Sequence, residues 1–270
     1  MLQVRQLVKH FGGVHAVDGV SFEVQPGDCV ALIGPNGAGK STTFACIAGQ
    51  YPATSGQVLW KGQALDRLTP AQRLRQGVGR TFQVAQVFEA LTALQNVQLA
   101  MEAADGAGGT SERGARSTLG LSAGFRRLGS RSTDAAMALL TQTGLQAQAS
   151  VDALNLPYGA KKRLELAMAL AARPQLLLLD EPAAGLAEEE RARLMALVKQ
   201  VAAQGMAVLY TEHNMDAVAG MADRVLVLIE GRLVAEGPFE VVARDPVVRA
   251  RYLGESSGAV IQPAAGVSDA

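Results

Sequence analysis

Short apolar runs alternate with longer stretches of helical periodicity along most of the chain. Runs rich in Val, Leu and Ile at 29–33, 57–60, 176–179, 207–210 and 225–229 predict strands. Helical patterns stand between several of them, at 40–49, 164–172, 188–203 and 215–221. Continuous apolar strands alternating with helices predict a mostly parallel sheet covered on both faces. Residues 14–24 instead alternate apolar and polar and run into Pro26-Gly27-Asp28, a turn that suits antiparallel strands. The expected fold class is α/β with a mixed sheet and an antiparallel β subdomain.

From about residue 84 to 156 the strand signal disappears. Helical patterns at 93–102 and 134–143 flank a stretch, 103–131, crowded with Gly, Ser and Arg. This region reads as a helical subdomain over about 84–160 with a flexible insertion at about 103–131. Residues 256–270 lack periodicity and read as a disordered tail, which leaves 1–255 as one domain.

Composition narrows the partners. The 25 Lys plus Arg balance the 25 Asp plus Glu, which argues against bulk nucleic acid or anionic lipid, since both call for an excess of basic residues. A hydrophobic fraction of 49% is high, yet the longest apolar runs fall far short of the roughly 18 to 20 residues that cross a bilayer. Residues 1–11 intersperse Gln3, Arg5, Gln6, Lys9 and His10 with single hydrophobes, without the apolar core of a signal peptide, so a cytoplasmic location is expected. Cys29 and Cys46 have no CxxC spacing and read as reduced, buried small hydrophobes.

Chemistry enters at Gly34-Pro35-Asn36-Gly37-Ala38-Gly39-Lys40-Ser41-Thr42, directly after a predicted strand and before a predicted helix. Gly34, Gly37 and Gly39 allow a tight turn whose N–H groups point at phosphate oxygens. The following helix adds its dipole and unpaired amides. Lys40 supplies a charge for the β- and γ-phosphates, and the Ser41 hydroxyl is placed to ligate Mg²⁺. A tight turn that merely favours glycine would not need Lys and Ser in register. A nucleoside triphosphate is expected here.

Leu176-Leu177-Leu178-Leu179-Asp180-Glu181-Pro182 supplies the second half of the site. Four apolar residues make a buried strand whose acids emerge where ligands of open α/β sheets bind. Asp180 is expected to hold Mg²⁺, directly or through water, and Glu181 to polarise the attacking water as a general base. No Asn-Lys-x-Asp element occurs, which disfavours a GTPase.

With these motifs the chain resembles the ATP-binding subunits of ABC transporters, from about Leu2 to Gly254. Arg80-Thr81-Phe82-Gln83 is similar to the family's glutamine loop, which implies that Gln83 approaches Mg²⁺. Thr211-Glu212-His213 is similar to its switch loop, which implies a γ-phosphate contact by His213, and Phe11 takes the place of its adenine-stacking aromatic. Leu156-Pro157-Tyr158-Gly159-Ala160-Lys161-Lys162-Arg163-Leu164-Glu165, together with Asp180-Glu181-Pro182-Ala183-Ala184-Gly185-Leu186 and Arg249-Ala250-Arg251-Tyr252-Leu253-Gly254-Glu255, is similar to the LivG type of branched-chain amino acid importers and their urea and amide relatives.

The resemblance implies ATP and Mg²⁺ as cofactors. It also implies a head-to-tail pairing with a second ATPase, in which Tyr158 and Gly159 would close over the partner's ATP. Two integral membrane permeases and, indirectly, a solute-binding protein complete the expected assembly, at the cytoplasmic face of the inner membrane and without nucleic acid. A soluble, non-transport ABC ATPase is the competing class. The chain departs from the family pattern at three positions: Pro157 replaces the signature serine, Ala160 its glutamine, and Ala187 the usual Asn or Asp. All three concern what this chain offers its neighbour, which reads either as an asymmetric heterodimer or as neutral drift. The cluster Lys161, Lys162 and Arg163, at a helix start expected near 160, reads as a solvated face or an interface near nucleotide.

Overall fold

The computed structural model describes residues 1–106, 130–212 and 215–253. Most of the expected insertion at 103–131, His213 and the expected tail at 256–270 lie outside the described residues.

An antiparallel sheet in the order β2-β1-β4-β5 is built from β1 (Leu2–Phe11), β2 (Val14–Val24), β4 (Ser55–Trp60) and β5 (Gln63–Ala64). Facing it, a six-stranded sheet contains β3 (Cys29–Ile33), β6 (Val78–Arg80), β7 (Leu176–Leu179), β8 (Ala207–Thr211), β9 (Arg224–Ile229) and β10 (Arg232–Gly237), in the order β10-β9-β3-β8-β7-β6. Its pairings are parallel except for the β9–β10 hairpin at one edge. The expected mixed α/β architecture with an antiparallel part is thus present.

Period-two geometry sorts each central strand between two cores. Val30, Leu32, Leu176, Leu178, Leu209, Leu226 and Leu228 face the antiparallel sheet and helix α1 (Lys40–Ala48). Their neighbours Ala31, Ile33, Leu177, Leu179, Val208, Tyr210 and Val227 face the opposite side. There they meet Leu194, Met195, Val198 and Val201 of a long helix, Glu188–Ala203. Burial on both faces is why β3, β7 and β8 read as unbroken apolar runs.

Helix α2 (Pro70–Arg75) leads toward the edge strand β6. A helical layer then follows, made of α3 (Ala93–Gly106), α4 (Ser130–Gln142) and α5 (Tyr158–Ala171), with Glu188–Ala203 as α6. Helix α5 has two apolar faces. Ala160, Leu164, Ala167 and Ala171 pack with Val97 and Leu140 of the helical layer, while Leu166 and Leu170 join the sheet's second core. It ties the helical layer to the strands, as does Leu139 of α4, which packs against both cores.

Several elements differ from expectation. Helix α5 starts at Tyr158, with Pro157 as its N-cap, earlier than either 164 or 160. The strand β1 carries no clear alternation because its pairing with β2 shifts register between Val4 and Leu7, between Leu7 and Lys9 and between Lys9 and His10. Buried positions therefore fall at Leu2, Val4 and Leu7, with Gln6 at φ +46 inside the irregularity. The edge strands β6 and β10 are too short or too exposed to stand out.

Helix α2 opens on a capping box between Thr69 and Gln72, with Pro70 in its first turn. This sets Arg73, which is buried, against the far end of α1. Its Nη1 donates to the carbonyls of Cys46 and Ile47, at 2.6 Å each, and its Nε to Leu68 at 3.0 Å. A cation thus closes the C-terminal end of the helix whose other end faces the phosphate loop. Arg73→Ala is expected to lower the unfolding free energy by about 3 kcal/mol, because charge-assisted bonds are lost and buried carbonyls lose their donor. Urea denaturation of the full chain checks this; a change under about 0.5 kcal/mol would contradict the assignment.

Candidate functional site

Strand β3 ends at Ile33, and the chain turns through residues 34–39 into α1. Two glycines are dictated by contact. A Cβ on Gly34, at φ +147, would lie 2.0 Å from the Leu228 carbonyl oxygen, and one on Gly39, at φ +98, 2.3 Å from that of Ala16. Lys40 is 6% exposed, and its Nζ donates to the carbonyls of Gly34 at 2.7 Å and Pro35 at 3.0 Å. The loop is therefore folded around its own lysine. Burial pushes the Lys40 ammonium below its ordinary range, while Glu181 and Asp180 pull it back up. An open cleft of about 180 Å³ lies over the loop, lined by Asn36, Gly37, Ala38, Gly39, Lys40, Ser41, Thr42, Ala16 and Glu181.

At the end of β7, Asp180 is 8% exposed and fully engaged. Its Oδ1 accepts from the Thr211 hydroxyl at 2.9 Å, and that hydroxyl accepts in turn from the Glu181 N–H at 2.8 Å. Its Oδ2 accepts from Arg80 Nη2 at 3.1 Å. Arg80, closing β6, also bonds Gln50 and lies over the Phe82 ring, 5.1 Å from its centroid. Glu181 sits at φ +46, a left-handed conformation costing about 1 to 2 kcal/mol for a residue with a side chain. That turn places Glu181 on the wall of the phosphate cleft, and Gln83 Nε2 donates to its Oε2 at 2.7 Å. Residues from β3, β7, β8 and the segment after β6 thus meet at one end of the sheet.

The segment carrying Gln83 is gripped from α5. Lys162 Nζ donates to the carbonyls of Phe82 at 2.9 Å and Gln83 at 2.6 Å. Glu165 Oε1 accepts from the amides of Phe82 at 3.0 Å and Gln86 at 3.3 Å. The two charges lie 4.0 Å apart. Burial pushes the Lys162 ammonium down and the Glu165 carboxyl up, each opposed by its partner's charge. Lys162 is only 3% exposed, so the expectation of a solvated basic cluster fails for it: its charge is spent on a loop eighty residues away in sequence.

Other expected site residues stand apart from the cleft. Tyr158 is 40% exposed, and Gly159 abuts the Glu190 carboxylate, 2.4 Å from where its Cβ would be. Phe11 is 43% exposed, edge-on to Tyr51 at 5.2 Å, with Lys9 Nζ 4.8 Å from its ring centre. Neither Phe11 nor the Tyr158 turn lines the phosphate cleft. Two of the departures have a shared structural meaning: Pro157 and Ala187 are the N-caps of α5 and α6, and neither has a side-chain oxygen to accept from the first-turn amides. The roles of Thr211 as a bridge, of Arg80 as counter-charge and of Lys162 with Glu165 as a grip were not read from the sequence. An acid between Leu164 and Leu166 was the available signal.

The ABC transporter family model matches residues 17–184, a span that takes in the phosphate loop, Gln83 and Asp180 with Glu181. The chain is 38% identical over 257 residues to the high-affinity branched-chain amino acid transport ATP-binding protein LivG of Escherichia coli, covering 95% of this chain and 98% of that protein. It is 35% identical to the corresponding protein BraF of Pseudomonas aeruginosa, with the same coverage of 95% and 98%. Among solved structures, the ADP conformation of an ATP-binding cassette of an ABC transporter superposes with a TM-score of 0.79 at 29% identity, covering 94% of this chain and 99% of that one. Similarity over nearly the full length, joined to a phosphate loop and acid pair assembled at one sheet end, makes this chain a member of the ABC transporter family, among its ATP-binding subunits.

Proposed function

We propose that this chain binds ATP with Mg²⁺ and hydrolyses it to ADP and phosphate, as the ATPase subunit of an importer of branched-chain or other hydrophobic amino acids. The solute class rests on the similarity to LivG and BraF. The observation that carries the chemistry is the 2.7 Å contact of Gln83 with Glu181 on the wall of the phosphate cleft.

Ser41, Asp180 and the Gln83 amide oxygen would hold Mg²⁺, which offsets charge on the β- and γ-phosphates. These are hard oxygen donors, and among the described residues no three His, Cys, Asp or Glu side chains gather as a cage. Such a set fits Mg²⁺, which shares its ligands with phosphates and water. Lys40 and the amides of residues 36–39 bind the phosphates. Glu181 accepts a proton from water as the water oxygen attacks the γ-phosphorus, and His213 assists in orientation. Tyr158 and Gly159 would serve the ATP held by a second ATPase, and Phe11 would stack on adenine.

Residues 1–255 would act as one ATPase domain. Among the described residues no helix is long and apolar enough to cross a membrane. A groove of about 250 Å³ beside the Gln83 segment, with apolar lining from Leu74, Val78 and Phe82 and exposed Val84 and Phe88 nearby, supports docking of a permease. This would hold the subunit at the cytoplasmic face of the membrane, in a complex with two permeases, a second ATPase and, indirectly, a solute-binding protein.

Single substitutions separate the steps. Lys40→Ala is expected to weaken ATP binding by about 30- to 150-fold, the loss of a charge-assisted contact of about 2 to 3 kcal/mol, read with a fluorescent ATP analogue. Glu181→Gln should leave binding intact, trap an ATP-loaded closed dimer and cut turnover at least about 100-fold. Wild-type hydrolysis by Glu181→Gln would remove the general-base assignment. The uncapped Pro157 and Ala187 turns, with Ala160, should weaken the composite site on the partner's ATP by about 1 to 3 kcal/mol. Mutating the catalytic glutamate of each ATPase separately in the assembled complex should then give unequal losses of activity, and equal losses would refute the asymmetry.

A further inference from the structure

We propose that Lys162 and Glu165 are positioning residues for hydrolysis: gripping the backbone of residues 82–86, they hold Gln83 against Glu181 and make that contact move with the start of α5. The inference rests on the reading of Glu181 as the group that activates water.

The segment after β6 has little else to order it. Phe82, Gln83, Val84 and Gln86 are all exposed, so their side chains do not anchor it in a core. Its backbone is instead fastened at four points, the carbonyls of Phe82 and Gln83 to Lys162 and the amides of Phe82 and Gln86 to Glu165. Both charges are almost fully buried, with side-chain exposures of 2% and 7%. Burying an ion pair is a poor way to gain stability, since apolar residues of similar volume usually serve as well or better. What this pair adds is position. It meets donors and acceptors on one stretch of backbone, and that stretch carries the side-chain amide that touches Glu181.

The grip also has an origin that matters. Lys162 lies one helical turn after Tyr158, and Glu165 follows three residues later, on the helix whose first turn presents Tyr158 and Gly159. One turn of helix is about 5.4 Å and stiff. A displacement of the Tyr158 turn, where a second ATPase would bring its nucleotide, is carried by Lys162 and Glu165 to Gln83 and so to Glu181.

The test uses the full-length chain for ATP binding and the assembled transporter for turnover, with Lys162→Met/Glu165→Met, Lys162→Arg and Glu181→Gln in parallel. The double substitution removes both charges together and so leaves no unpaired buried ion. It also leaves four backbone groups without partners, so it is expected to lower the melting temperature by a few degrees, while ATP affinity and KM, read below the transition, stay within about twofold and kcat falls about tenfold or more. Lys162→Arg, which keeps donors for the two carbonyls, is expected to recover most of the rate. A wild-type kcat in the double variant overturns the proposal. So does a fall in kcat matched by an equal loss of ATP affinity, or one that Lys162→Arg does not recover, the signature of a purely structural role. If Glu181→Gln itself retains wild-type turnover, the reading of Glu181 has failed; if Glu181→Gln is inactive while the double variant is fully active, only the positioning role has.

Discussion

A carboxylate at the end of a buried strand has to be matched by positive charge and hydrogen-bond donors, and the site is built around how Asp180 meets that demand. The Thr211 hydroxyl and the Arg80 guanidinium each take one of its oxygens. Those two partners close the strands on either side of β7, so a single side chain fixes the ends of β6, β7 and β8 relative to one another. Thr211 then accepts from the Glu181 amide, which helps hold the next residue in its left-handed turn. The strain of that turn is sustained by the same bonds that satisfy Asp180. Lys40 contributes from the third direction, its buried ammonium favoured by the fields of Asp180 and Glu181.

The sheet supplies rigidity and α5 supplies reach. The central strands are buried on both faces, which fixes their ends, and on the proposed reading an ATPase that responds to a second subunit needs a group that can be moved. Gln83 fits that need, standing on an exposed segment whose backbone is held by side chains of another layer. The weak caps at Pro157 and Ala187 belong to the same part of the molecule. Uncapped amides at the first turns of α5 and α6 leave donors toward solvent or an anion, but they lack the hydroxyl or amide side chain that would fix a partner's phosphate.

How far the sequence carried the fold depended on whether each feature was local. The phosphate loop was legible because its glycines, Lys40 and Ser41 act within nine consecutive residues, and the strands 29–33 and 176–179 because burial on both faces leaves nothing polar to blur them. The strand β1 was obscured by its own bulges, which move the buried positions from even to odd numbers between Val4 and Leu7. The start of α5 was obscured by Pro157 and Gly159, residues that usually signal a turn and here sit in the helix cap and first turn. Lys162 was misjudged for a different reason. Whether a lysine is solvated or buried depends on what folds over it, and the carbonyls it meets come from residues 82 and 83, beyond the range of any periodicity.

The neutral charge balance and high apolar fraction acquire a cause from the same geometry. Among the described residues the apolar side chains fill three cores, two on the faces of the large sheet and one among the helices, which leaves few positions for a charged surface. Some apolar surface remains outside: Leu74 and Phe82 line one groove, and Val84 and Phe88 are exposed on the segment that carries Gln83. A partner seated there would press on the loop whose backbone Lys162 and Glu165 hold and whose amide meets Glu181. On the proposed reading, docking and water activation would share one short stretch of chain, so that a push on one side of residues 82–88 would have a direct covalent path to the other.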